Sequence, residues 1–152
     1  MKELWNKILR NVTITDRAKF QSTSVDAMAL TPYTTSITVA NGATTGKEAA
    51  IGLPANFRAM FVAVTVTTAS TNAVNLVDIG DDVGTDAFVD GITAACNTTG
   101  YKGTFACNGT RGLAGVGADL QTPDEIEVVV SGNPGATGVT FRLTFLGVVT
   151  TQ

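Results

Sequence analysis

The chain has 152 residues, enough for a single domain that buries a core without disulfides or metals. Only 15% of its residues are charged, well below the roughly 25% of ordinary soluble domains, and Thr, Ser, Asn and Gly are abundant. Its net charge of −3 and few basic residues argue against nucleic acid as a partner, and no apolar run is long enough for a membrane span. Because uncharged polar groups cost less to desolvate than charges, the composition favours a protein packed against neighbours.

The N-terminal residues 2–10 predict one short amphipathic helix, because the apolar residues Leu4, Trp5, Ile8 and Leu9 share one face. Such a short helix is not stable alone in water, so it docks on its own domain, on another subunit, or on a membrane surface. Residues 1–19 carry a local charge of +3, whereas the rest of the chain carries −6. This difference indicates two surfaces with two roles. Charged residues interrupt the apolar ones, so no signal peptide is predicted and synthesis in the cytoplasm is expected.

The remaining chain predicts an all-β domain. Residues 1–32 are interpreted as the helix and an extended arm, and residues 33–152 as a β-sandwich or jelly-roll-like domain of about eight strands. The predicted strands are one carrying Ile37 and Val39, then Ala49–Leu53, Phe57–Thr68, Ala73–Ile79, Phe88–Thr93, Tyr101–Ala106, one carrying Ile126, Val128 and Val130, and a last one carrying Val139, Phe141, Leu143 and Phe145. The last strand is the clearest, because its apolar residues alternate strictly with Thr and Arg.

Enzymatic chemistry is not predicted. The chain has no histidine, which removes the Ser-His-Asp and Cys-His arrangements and the commonest general base at neutral pH. The glycines of residues 112–117 are not followed by the Lys-Ser/Thr pair of a phosphate-binding loop. We therefore expect no catalytic residue and no organic cofactor.

Two small constellations remain. Cys96 and Cys107 flank a Gly-rich segment and predict either a loop-closing disulfide or two half-buried thiols. The second constellation is an acidic cluster beside two glycines, and it predicts either a solvated loop or a calcium site. Its candidate calcium ligands are Asp78, Asp81, Asp82 and Asp86.

The segment Val77–Val89, a strand ending in an Ile-Gly-Asp turn followed by Asp and an aromatic residue, resembles small virion proteins of tailed bacteriophages. In those proteins an Ala/Gly-rich stretch and two closing strands follow, as residues 92–117 and 125–149 do here. The resemblance covers roughly residues 60–150 and excludes the N-terminal helix and arm. It implies a head decoration (cement) protein on the capsid surface, commonly a β-sandwich and commonly a homotrimer.

With that resemblance, the expected partners are the major capsid protein and copies of this chain. The residues predicted to contact the shell are the apolar Leu4, Trp5, Ile8 and Leu9 with the basic Lys7, Arg10 and Arg17. Two alternatives remain open: a receptor- or glycan-binding β-domain of a phage fibre, and a tail or tail-tube subunit. The first would need an exposed aromatic groove, and the chain has only one Trp and two Tyr residues.

Overall fold

The computed structural model describes residues 30–112 and 125–149. Within them the chain forms eight strands and no helix, so the predicted all-β class and strand number are confirmed. The strands are β1 (Leu30–Val39), β2 (Thr45–Ala49), β3 (Phe57–Thr68), β4 (Asn75–Asp81), β5 (Ala94–Ala95), β6 (Gly100–Ala106), β7 (Glu125–Val130) and β8 (Val139–Val149). The predicted helix at residues 2–10 lies outside the described residues. No helix able to span a membrane occurs in the part of the chain that is described.

The strands are nested in pairs, with the first beside the last. β1 pairs with β8, β2 with β7, β3 with β6 and β4 with β5, all antiparallel. Further pairs, β3 with β8 and β4 with β7, complete two sheets: a first sheet of order β1-β8-β3-β6 and a second sheet of order β2-β7-β4-β5. This rolled-up arrangement is a jelly roll, one of the two forms that the sequence predicts.

The core lies between the two sheets and follows from alternation along the strands. In β8 the buried Phe141, Leu143 and Phe145 alternate with outward Arg142 and Thr144. Phe88, from the segment between β4 and β5, packs on Phe145 with ring centroids 4.7 Å apart. Such aromatic pairs add to the burial of apolar area that holds the two sheets together.

The two ends of the sandwich differ. The connections at residues 40–44, 69–74, 96–99 and 131–138 lie at one end, which we call the turn end. The connections 50–56, 82–93 and 107–124 begin at the other end, which we call the loop end. The described chain also begins at Leu30 and ends at Val149 there, because these residues lie at the paired ends of β1 and β8.

Several predicted strand boundaries differ from the structure. β1 begins at Leu30, inside the segment interpreted as an arm, because its backbone pairs with β8 from Leu30 onward. The predicted strand Ala49–Leu53 is a turn instead, in which the amide of Leu53 donates to the carbonyl of Ala50 and Gly52 has a φ of +83°. The strand lies earlier, at β2, and the predicted strand at residues 88–93 contributes one bridge, between Val89 and Ile79.

Candidate interaction surfaces

Exposed large apolar side chains are concentrated at the loop end. Among the described residues six such side chains are exposed, and five lie at the loop end or in the half of the sandwich nearest to it: Leu30, Ile51, Phe61, Val83 and Leu146. The sixth, Tyr101, lies toward the turn end. Ile51 and Val83 project from loops and are 84% and 82% exposed. Apolar side chains grouped at loops on a rigid scaffold are typical of a binding surface.

The turns at the turn end are hydrogen-bonded to one another. The Asn133 Oδ1 atom accepts hydrogen bonds from the amides of Gly42 and Gly135, each at 2.9 Å. The Thr71 hydroxyl accepts one from the amide of Ala136 at 3.1 Å. Three separate turns are thus tied together by polar contacts. The loop end is therefore the better candidate for contact with another molecule.

The outer face of the first sheet is broad and nearly uncharged. Threonines from neighbouring strands meet across it: Thr34 donates to Thr144 at 3.2 Å, and the Thr38 and Thr140 hydroxyls lie 3.0 Å apart. Near the loop end, the strand register places Phe61 beside Leu146. Arg142 is the one exposed charged residue on the outward positions of β1, β3 and β8. A hydroxyl-rich face of this kind is easily desolvated by a partner.

The loop end is held in shape by a buried ion pair. Arg111 and Asp81 are 3% and 2% exposed, and the Arg111 Nε atom contacts the Asp81 Oδ2 atom. The Asp81 Oδ1 atom accepts hydrogen bonds from the amides of Val83 (2.9 Å) and Gly84 (3.1 Å), which fixes the start of the loop 82–93. The Asp81 carboxylate thus accepts hydrogen bonds from two backbone amides and contacts a guanidinium, and hydrogen bonds that involve an ionised group are stronger than neutral ones.

The backbone of Arg111 extends the same connection across the sandwich. Its amide donates to the carbonyl of Ala87 at 2.7 Å, and its carbonyl accepts from the amide of Ala59, in β3, at 2.8 Å. The Arg58 side chain donates to the carbonyl of Thr110 at 2.6 Å. The segment 107–112 therefore joins the first sheet, the second sheet and the loop 82–93, and we call it the clamp.

The structure gives the four predicted calcium ligands different surroundings, and the calcium site stays a prediction. Asp81 is buried against Arg111, and the Asp78 Oδ1 atom accepts the amide of Gly91 at 3.0 Å. Asp82 and Asp86 are exposed. Within residues 30–112 and 125–149, no group of three or more Asp, Glu, Cys or His residues is placed to hold a metal ion.

The two cysteines are free thiols and both are buried. Of the two predicted alternatives, the structure therefore has two thiols and not the disulfide. Burial raises the pKa of Cys96 to about 11 and that of Cys107 to about 12. Cys96 is fully buried, and its thiol contacts the carbonyl of Ala94 at 3.4 Å. Both side chains belong to the core rather than to a reactive site.

These thiols should react slowly in the folded protein. At pH 8 the raised pKa values lower the thiolate fraction about 100-fold or more relative to an exposed cysteine, and the thiolate is the reactive form. With a thiol reagent such as DTNB, we expect slow reaction of the native protein and rapid release of two equivalents per chain in denaturant. A disulfide would instead give no reaction in denaturant without reductant.

The predicted docking residues at the N-terminus lie outside the described residues. They are Leu4, Trp5, Lys7, Ile8, Leu9, Arg10 and Arg17. Their segment joins the described domain at Leu30, which is itself one of the exposed apolar residues of the loop end.

Several residues of these surfaces were not predicted from the sequence. Ile51 and Val83 are single apolar residues next to Gly or Asp, and that pattern alone does not tell an exposed loop tip from a short strand. Arg111 was missed because its partner Asp81 lies thirty positions away. A lone Arg in a Gly-rich segment after a strand is a weak signal of this kind of clamp.

The described residues form a jelly-roll sandwich in which exposed apolar side chains are concentrated at the loop end and hydroxyl groups cover the outer face of the first sheet. A chain of the cyanophage Pam1 capsid asymmetric unit has a similar fold, with a TM-score of 0.52, over 80% of this chain and 84% of that chain. The two sequences are 12% identical, so the likeness concerns the fold. No family model matches the sequence, and no curated protein matches it significantly.

Proposed function

We propose that the chain is a structural protein of a bacteriophage virion: a decoration (cement) protein on the capsid surface, not an enzyme. Its partners in this proposal are the major capsid protein and copies of itself, arranged as a homotrimer. The observation that carries the proposal is the likeness in fold to a chain of a phage capsid asymmetric unit. Jelly rolls serve many functions, and capsid proteins are among their commonest uses.

The loop end is the surface that we propose to meet the shell. It carries the exposed Ile51 and Val83 on two of its loops, and the N-terminal segment joins it at Leu30. The clamp fixes the loop 82–93 that carries Val83, which lowers the entropy lost on binding. An attached apolar loop end would leave the sides of the sandwich free for neighbours on the same shell.

The N-terminal segment supplies the anchor in this proposal. Leu4, Trp5, Ile8 and Leu9 would fill an apolar site on the major capsid protein, and the basic Lys7, Arg10 and Arg17 would pair with acidic residues around it. Trp and Arg are enriched among residues that dominate binding energy.

Replacing Trp5 by alanine should weaken binding to the shell about 30-fold, the effect of losing a contact worth about 2 kcal/mol. The measurement is occupancy of shells assembled from the major capsid protein of the same virus, by co-sedimentation over a range of protein concentrations. Folding of the variant should be unchanged, since residues 30–112 and 125–149 build their own core.

Trp5→Phe is the matched control, because it keeps an apolar aromatic side chain and should lose much less affinity. A second variant, Ile51→Ser with Val83→Ser, tests the loop end without changing the N-terminal segment. Full occupancy by both the Trp5→Ala variant and the loop-end variant would contradict the proposed attachment.

A further inference from the structure

The two sheets of the sandwich carry opposite charge. The strands of the first sheet contain Arg58, Lys102 and Arg142 and no carboxylate. The strands of the second sheet contain five carboxylates and one cation, Lys47. Because successive strands alternate between the sheets over much of the chain, this separation is a property of the folded domain. It gives the sandwich a basic side and an acidic side.

The exposed charges keep this separation at the surface. On the first sheet Arg142 is exposed, whereas Arg58 is buried against Thr110. On the second sheet, the carboxylates that lie outward or on the loop covering it form a group that we call the acidic back: Asp78, Asp82, Asp86, Asp90 and Glu125.

The loop between β4 and β5 brings part of this group onto the outer side of the second sheet. A Cβ atom at Gly80, an outward position, would meet the backbone of Gly84 and Thr85, so the loop covers that face. The amide of Gly91 donates to the outward Asp78, which places Asp90 on the same side. Lys47 is already engaged, with Glu125 at 3.1 Å and Glu127 at 3.4 Å.

We infer that the outer face of the first sheet binds the acidic back of a second copy of this chain. The inference deepens the proposed function and rests on it for the orientation of the domain. With the loop end on the shell, both faces point sideways, and the molecules standing beside them are other copies. Arg142 would then face the carboxylates of the neighbouring copy.

Charge argues against the same face packing on itself. The first sheet has no carboxylate on any strand, so a two-fold contact would bury Arg142 with no anionic partner from either copy. Contact between two different faces supplies that partner. Such a contact is head-to-tail, so it links copies into rings when the rotation between them fits and into open rows when it does not.

The face is close to the size that a stable contact needs. Four strands about 4.8 Å apart and ten residues long make a rectangle of about 19 by 33 Å, or about 600 Å². A stable protein–protein contact buries about 800 Å² on each partner, so this face with its rim approaches the required size. Its Thr hydroxyls and the Phe61–Leu146 pair provide the uncharged centre that such contacts need.

The test uses two full-length variants and light scattering after size exclusion. The face variant is Arg142→Glu with Thr144→Glu, and the back variant is Asp86→Lys with Asp90→Lys. The wild type should have the mass of an oligomer, and each variant alone the mass of one chain, because each variant opposes like charges across the contact. Mixing the two variants should restore association to at least two chains, since a face variant beside a back variant brings oppositely charged surfaces together.

Ala136→Glu, at the exposed turn end, is the control for an added negative charge away from both surfaces and should assemble like the wild type. Thermal unfolding of each variant checks that the fold is intact. Assembly of the back variant alone, failure of the mixture to assemble, or a wild type that stays monomeric at high concentration would overturn the inference. None of these results bears on shell binding, whereas wild-type oligomers that fail to bind shells would overturn only the proposed function.

Discussion

Replacing Arg111 by methionine should lower the free energy of unfolding by about 3–5 kcal/mol, the cost of removing one partner of a buried ion pair. The variant leaves the Asp81 carboxylate buried at the loop end without the guanidinium that now contacts it. The backbone hydrogen bonds of Arg111 to Ala87 and Ala59 remain possible, so the loss measures the side chain. Urea unfolding monitored by circular dichroism gives the value.

Lys47→Met is the matched control, because it also removes the cation of an ion pair. Lys47 is about half exposed beside Glu125, and exposed pairs contribute at most about 1 kcal/mol. A second variant, Arg111→Met with Asp81→Asn, should recover part of the stability, because the amide is uncharged and its oxygen still accepts from Val83 and Gly84. Equal losses for Arg111→Met and Lys47→Met would refute the role given to the clamp.

The buried pair also bears on binding, because it fixes loops rather than the centre of the core. The Asp81 carboxylate accepts hydrogen bonds from the amides of Val83 and Gly84, and Arg111 lies in the segment that joins both sheets. A partial loss of the clamp should therefore release Val83 and the loop 82–93 before the sheets separate. A change that destabilises the clamp should therefore also change the shape of the loop end.

Strands with strict alternation were predictable from the sequence. β3 has the predicted bounds, Phe57–Thr68, and β7 and β8 begin within one residue of the predicted apolar positions. These strands pair on both sides in the middle of a sheet, so one face is fully buried and the pattern is clean. β2 is an edge strand with the sequence Thr-Gly-Lys-Glu-Ala, and it has almost no apolar signal.

The side of the sheet on which an individual side chain lies was less predictable. In β3 the register shifts between Ala59 and Phe61, so Met60 is an extra residue in the pairing with β8. The shift turns Phe61 outward and Val62 inward, whereas uninterrupted alternation would bury Phe61 with Phe57 and Ala59. A long apolar run gives no sign of such a bulge, so the exposed Phe61–Leu146 pair could not be found from the sequence.

The charge difference between the two sheets could not be predicted from the sequence, because it depends on the order of the strands in the sheets. Along the chain, Arg58 is followed by the acidic cluster of residues 78–90 and then by Lys102, and this order does not show which sheet carries each charge. Only the strand order separates these residues into a basic and an acidic sheet. The sequence prediction of a basic N-terminus and an acidic body is compatible with this, but it could not divide the body itself.

Replacing Gly80 by alanine should lower the free energy of unfolding by about 3 kcal/mol, the upper end of the usual cost of overpacking. The added Cβ atom would overlap the carbonyl groups of Gly84 and Thr85, which are backbone and cannot rotate away. The hydrogen bond from the Asp81 amide to the Gly84 carbonyl, 2.9 Å long, would be strained or lost. The loop that carries Asp86 would then be displaced from the second sheet.

Gly84→Ala in the same loop separates this contact from a general effect of losing a glycine. Its Cβ atom would meet only the Asp86 Oδ1 atom, at 3.3 Å, and that side chain can move, so we expect a change within about 0.5 kcal/mol. Urea unfolding of both variants measures stability, and light scattering measures assembly. Because Asp86 belongs to the acidic back, Gly80→Ala should also weaken self-association at concentrations where it is still folded. A Gly80→Ala protein as stable as Gly84→Ala would mean that the loop does not lie against β4.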